Sequence, residues 1–297
     1  KIHLLNLMDD LGIYSANIGL PGAGPRAVEA VTALATEIVN AGLSICANAA
    51  ARTLVADIRP IVEISQSVGL PIQVCTFIGS SPIRQYAEDW TLDQMLGTIE
   101  EAVTFAVTEG LSVMMVTEDT TRAKPEDLKR LYSWAIELGA ERLCLSDTVG
   151  HATPDGVRAL VRFIIEEVVE PSGREIGLDW HGHRDRGFAI ANALAAIEAG
   201  ATRIHATALG LGERCGNTEM ELLLVNLELL GVTDADLSVL PEYCRSAANM
   251  CHVPLIHSSP VVGRDAFRTG TGVHAAAIMK AEAKGDVWLA DRIYSSV

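Results

Sequence analysis

Basic side chains are scarce in this chain: 23 Lys and Arg stand against 38 Asp and Glu, a formal charge of −15. Such a surface repels polyanions, which disfavours nucleic acid and anionic membrane as bulk partners. A local basic patch for a small anion stays open. No apolar run reaches the roughly 20 residues that a membrane span needs, and no signal-peptide pattern is visible. Cys-x-x-Cys pairs are absent too. Six Cys, at 46, 75, 144, 215, 244 and 251, lie scattered, mostly in apolar patterns where buried thiols are expected, which suits a reducing cytoplasm. Low-complexity segments and short repeats are missing. No Gly-x-Gly-x-x-Gly follows the first strand, so a dinucleotide site is unsupported.

What is present is apolar bulk, 49% of 297 residues, enough for one barrel-sized domain with a small appendage. Residues 1–11 carry apolar side chains at helical spacing. Short apolar strands are expected over 14–20, 43–47, 72–78, 111–116, 142–145, from 175, and over 203–207. Helices are expected between them over 26–40, 54–68, 92–109, 125–138, 154–169 and 188–197, and after the last strand over 218–230. This alternation implies a parallel sheet. Seven strands with a helix ahead of the first predict a (β/α)8 TIM barrel whose first strand precedes Lys1; a doubly wound open sheet is the alternative. The rhythm stops after Gly231, so the expected division is a catalytic barrel over 1–231 and a mostly helical appendage over 232–297.

The organising stretch is Leu178-Asp179-Trp180-His181-Gly182-His183-Arg184-Asp185. Residues two apart on a strand share a face, so His181 and His183 project together from a strand end. Two imidazoles with an oxygen donor can hold a divalent metal, and a hydrogen-bonded histidine pair is the plainer reading. Chemistry in a barrel sits at the C-terminal strand ends, which gathers Asn17, Asn48, Thr76, Glu118, Asp119, Asp147, Thr148 and Thr207 around the histidines. Glu118 can relay a proton or stand as an Arg-paired loop acid. Thr148 can donate to a bound carboxylate or cap a turn. The loop Gly210-Leu211-Gly212-Glu213-Arg214-Cys215-Gly216-Asn217 allows close backbone approach, and Asn217 offers an amide oxygen or a helix cap. Cys215 is a candidate nucleophile, though a core-facing thiol is the commoner state. His274 stands alone near a helix start.

Together these stretches resemble the isopropylmalate, homocitrate and citramalate synthase family, within the DRE-TIM metal-dependent acyltransferases and lyases. The motifs are His181-Gly182-His183-Arg184-Asp185, Gly210 to Asn217, Ser146-Asp147-Thr148-Val149-Gly150, Ala195 to Ala201, Val262 to Phe267 and Thr271 to His274. The Gly-Glu-Arg loop favours the synthases. The resemblance implies that His181 and His183 bind a divalent ion (Zn, Mn, Co or Mg), with Asn217 a ligand or close neighbour. That ion would chelate a 2-oxo acid, and acetyl-CoA would condense with it before thioester hydrolysis. Thr148 would hold the substrate carboxylate. Glu118 and His274 would move protons, His274 coming from the other subunit of a homodimer. The family's Arg-Asp pair would lie on the strand ahead of Lys1. Two departures, Asn17 for a Glu and Arg184 for an Asn, are expected to retune the 2-oxo acid accepted. A lyase using Cys215 and a metal-free barrel for binding or assembly remain alternative readings.

Overall fold

The computed structural model describes residues 1–295. A first helix, α1 (Ile2–Asp10), leads into β1 (Ser15–Asn17), α2 (Pro25–Ala41), β2 (Cys46–Arg52), α3 (Val55–Val68) and β3 (Gln73–Gly79). Then come α4 (Pro82–Ala87), α5 (Leu92–Thr108), β4 (Val113–Glu118), α6 (Pro125–Glu137), β5 (Arg142–Asp147), α7 (Pro154–Ile164), a π turn (Ile165–Val169) and the single turn α8 (Glu170–Ser172). The chain continues through β6 (Gly177–Gly182), α9 (Ala189–Ala199), β7 (Arg203–His205) and α10 (Met220–Leu229). It closes with α11 (Leu240–Cys251), α12 (Gly272–Ala283) and α13 (Val287–Arg292).

Local chemistry sets many of these boundaries. Proline opens α2, α6 and α7, where its missing N–H costs nothing. Thr91 and Gln94 form a reciprocal capping box at the start of α5. Glycines in the left-handed region end α2, α3 and α9.

All seven strands pair in parallel and in chain order. That order matches the expected barrel and excludes a doubly wound sheet, whose strand order reverses. The sheet is curled: Arg203 on β7 reaches Gln73 Oε1 on β3 at 3.0 Å and Ser15 Oγ on β1 at 3.4 Å. Period-two alternation divides its two faces. Val74, Val113, Leu143, Leu145, Leu178 and Trp180 are buried in the same apolar core as Ile58, Ile99, Leu131 and Val161 of the surrounding helices. The opposite face carries Cys75, Met114 and Cys144 in a separate small cluster, with the charged Arg142, Asp179 and Arg203 beside it.

A third apolar cluster joins the ends of the chain. Leu7 and Leu11 from the α1 region pack with Met220 and Leu224 of α10 and Leu240, Tyr243 and Cys244 of α11. Helix α11 begins at Leu240, which places Pro241 in its first turn, where a missing N–H costs nothing. β2 starts three residues later than expected, since Leu43 N still bonds Ile38 O at the end of α2. The helix expected over 154–169 changes to a π turn after Ile164, and α4 and α13 are additional to the expected set. Among the described residues no helix is long and apolar enough to cross a membrane.

Candidate active site at the strand ends

β6 is half of the site. Leu178 and Trp180 face the helices, so Asp179 and His181 face inward. His183, one residue beyond the strand, forms an antiparallel bridge with Asn217. The His181 and His183 rings lie edge to face with centroids 5.3 Å apart, and His205 of β7 sits 5.5 Å from His181. Burial pushes the His181 pKa down to about 3, helped by the neighbouring His205 and His183. Burial also lowers His183, with Arg214 adding to the effect. Both rings are therefore neutral near pH 7, the state in which imidazole nitrogen can bind a cation.

Beneath them lies an ionic group. Asp179 has no solvent exposure; Arg142 donates to its Oδ1 at 2.6 Å and Arg203 to its Oδ2. His205 Nε2 lies 2.8 Å from the same Oδ2. Burial alone would raise the Asp179 pKa; the His205 hydrogen bond and the surrounding charges, Arg203 and Arg142 among them, outweigh it and hold the group below its usual range.

The other half is the loop from Gly210 to Asn217, which folds back over the β6 end. Arg184 N bonds Gly216 O and Thr218 N bonds Gly182 O. Gly216 must be glycine: its φ is +110°, and a Cβ there would lie 2.0 Å from the Gly210 carbonyl oxygen. Arg214 grips Asp185 through two bonds of 2.8 and 3.1 Å and also donates to the Thr148 carbonyl. Arg184 pairs with Glu219 at 2.7 Å and donates to the Cys215 carbonyl. Its fork holds the loop, rather than standing free in the mouth.

The structure brings His181, His183 and Asn217 together, with Asn217 Nδ2 3.5 Å from His181 Nε2. His183 Nδ1 is buried without a hydrogen-bond partner, an orphan that suits a cation ligand. Among the described residues no three His, Cys, Asp or Glu side chains are arranged to hold a metal ion. The available set is thus two imidazoles and one amide, whose oxygen a half-turn of the Asn217 side chain would present. These donors fit a borderline divalent ion.

The remaining candidates are partly engaged. Thr148 Oγ1 accepts from Asp119 N at 2.8 Å, leaving its own proton to donate. Glu118, half-buried at the β4 end, pairs with Arg84 at 3.4 Å. Asn17 Oδ1 accepts from Gly19 N at 3.1 Å. Cys215 is exposed. His274 lies 3.4 Å from Thr269, with its ring 4.1 Å from that of Tyr294; both neighbours belong to the same C-terminal segment. Sequence reasoning missed Asp179 and His205. The period-two rule that pairs His181 with His183 also places Asp179 on the inner face, and that signal was there to be used.

A (β/α) barrel with paired histidines at its C-terminal mouth is the class that this geometry defines. The family described as HMGL-like matches residues 1–245, and the chain belongs to that family. It is 34% identical over 283 residues to the homocitrate synthase AksA of Methanopyrus kandleri, covering 94% of this chain and 68% of that protein. It is 32% identical over 286 residues to the 2-isopropylmalate synthase of Lactococcus lactis subsp. cremoris, covering 94% of this chain and 54% of that one. Among solved structures, an HMG-CoA lyase from Bacillus subtilis superposes with a TM-score of 0.69 at 20% identity, covering 86% of this chain and 87% of the lyase.

Proposed function

We propose that the chain is an acyltransferase that condenses acetyl-CoA with a 2-oxo acid and then hydrolyses the thioester. The convergence of His181, His183 and Asn217 at the barrel mouth, with His183 Nδ1 unpaired, carries this reading. The synthases at 34% and 32% identity support the reaction type. His181, His183 and Asn217 would hold a divalent ion (Zn, Mn, Co or Mg). When bound, such an ion supplies Lewis-acid polarisation of a ketone.

The chain's own groups account for orientation and proton movement. Thr148 Oγ, whose lone pair takes the Asp119 N–H, has its hydroxyl proton left for a substrate carboxylate. Glu118, paired with Arg84 at 3.4 Å, takes the methyl proton of acetyl-CoA. The new carbon–carbon bond joins that methyl carbon to C2 of the 2-oxo acid, whose oxygen receives a proton from His274. Water then cleaves the carbon–sulfur bond and frees CoA thiol. Asn17 and Arg184 shape the acid pocket, Arg184 through its hold on the Gly210 to Asn217 loop. The catalytic barrel is the unit over 1–231, and 232–297 is the appendage that contributes His274. Exposed Val273, Met279 and Trp288, in the same C-terminal segment as His274, support a homodimer in which His274 serves the partner's site. Free cysteines agree with a cytoplasmic setting.

Thiol release from acetyl-CoA tests this directly, against 2-oxoisovalerate, pyruvate, 2-oxoglutarate, oxaloacetate and phosphonopyruvate, each with and without chelator. Chelator-sensitive release with one acid is the expected result. No release with any acid, from protein shown to hold metal, moves the assignment to carbon–carbon cleavage of a 3-hydroxyacyl-CoA. Exposed Cys215 on the mouth loop and the HMG-CoA lyase fold neighbours favour that second reading. Full activity in Cys215→Ala removes it.

A further inference from the structure

We infer that Glu221 is a positioning residue for the mouth loop: it holds Leu209 in a left-handed turn and so places the Gly210 carbonyl to which Asn217 is bonded. Glu221 lies in the first turn of α10. An acid there ordinarily faces water, where it complements the positive end of the helix. Glu221 is instead 4% exposed, and its Oε2 accepts from Leu209 N at 2.9 Å. A carboxyl group offers that N–H an acceptor oxygen whether or not it is ionised. Leu209 has φ +56° and ψ +18°, a conformation strained for a residue with a Cβ, which persists only where the surroundings impose it. Glycine would take it freely, but the Leu209 side chain packs against the cluster of Leu7, Leu11, Met220, Tyr243 and Cys244. Packing requires the leucine, and the Glu221 tether opposes the strain that the leucine brings.

The consequence reaches the site in two steps. Gly210 continues the left-handed turn at φ +62°, and its carbonyl accepts from Asn217 N at 2.9 Å. Asn217 is thereby set against His181 and His183. Its part in holding a cation rests on the function proposed above; the tether itself does not. Helix α11 closes the far side of Glu221. Cys244 Sγ lies 3.9 Å from Glu221 Oε2, and Tyr243 and Cys244 are buried in one cluster with Ala208. The first helix beyond residue 231 thus bears on the geometry of the mouth as well as on stability.

The test uses the full chain and reads hydrogen exchange of single backbone amides in the loop, beside Co2+ binding and thiol release. In the wild type the Leu209 and Asn217 amides should exchange slowly. Glu221→Leu suits the apolar surroundings but leaves Leu209 N without its acceptor. Both amides should then exchange about tenfold faster, the scale of one lost hydrogen bond. Co2+ binding should weaken by about tenfold or more, and kcat should fall by a larger factor than the KM for acetyl-CoA rises. Glu221→Gln should restore all three, because its carboxamide oxygen accepts from Leu209 N. A folded Leu variant with wild-type exchange, or a Gln variant as damaged as the Leu one, overturns the inference. If the Leu variant fails to fold, the other two proteins decide: fast exchange at Leu209 in the wild type, or faster exchange in the Gln variant, overturns it. Slow exchange that is lost in Glu221→Leu, in a protein that binds no Co2+ and releases no thiol, overturns the synthase reading and leaves the tether standing.

Discussion

His181 carries a stability cost that grows with acidity. Its folded pKa is about 3, chiefly through burial, against 6.5 for an exposed imidazole. Between those values the unfolded chain binds a proton that the folded chain refuses. Stability therefore falls as pH drops from about 6.5 toward about 3, by at most about 1.4 kcal/mol per pH unit from this ring. Lowering of His183, again by burial first, adds in the same direction. Urea midpoints at pH 7 and pH 5 should differ more in the wild type than in His181→Asn, which keeps a polar side chain but has nothing to titrate. Equal differences in the two proteins would show that another group dominates acid sensitivity.

At the scale of elements, the Gly210 to Asn217 loop is held mainly by two arginines, Arg184 from beyond the end of β6 and Arg214 from within the loop itself. Arg214 spans two neighbouring strand ends, since it binds Asp185 beyond β6 and the Thr148 carbonyl beyond β5. Its side chain is 39% exposed, so its removal should cost the fold less than about 1 kcal/mol. The loop would lose its anchor all the same. Arg214→Ala is expected to lower kcat/KM by about tenfold or more, through mispositioned groups at the mouth. Limited proteolysis should cut the loop faster while the midpoint of unfolding barely moves. Unchanged cleavage and unchanged activity would mean that the glycine backbone alone sets the loop.

This element also shows what was legible beforehand. The strand rhythm could be read because each strand is a short apolar run bounded by helix caps, and the paired histidines because period two is a local rule. The role of Arg184 could not be read, because Glu219, which takes its fork, lies 35 positions away. Asp179 and His205 stayed hidden for a similar reason: 26 positions separate them, and only the β6–β7 register brings them into contact. The helix α13 went unseen because its six residues span fewer than two helical periods, and the Asp286 cap that starts it is a single side chain.

On the scale of the whole molecule, the question is how much of the region beyond residue 231 the barrel needs. Helix α11 buries Leu240, Tyr243, Cys244, Ala247 and Ala248, most of them in one cluster with Leu7, Leu11, Met220 and Leu224. That cluster ties the first helix of the chain to α10. A chain ending at 231 would open it to water, which should cost more than about 3 kcal/mol, the scale of losing one large buried side chain without replacement. Beyond 253 the picture changes. Phe267, Val273, Met279, Val287 and Trp288 are exposed, and among the described residues Ala281 and Ala290 are the buried apolar side chains there. A chain ending at 253 should therefore unfold within about 1 kcal/mol of the full one in dilute solution, because few apolar contacts to the barrel are lost. Urea titrations of the two truncations beside the full chain measure both differences. If the 231 truncation matched the full chain, α11 would be a passenger on the barrel. If the 253 truncation lost several kcal/mol at concentrations where the full chain associates, and lost thiol release with it, α12 and α13 would be contributing through the dimer, with His274 among the groups removed.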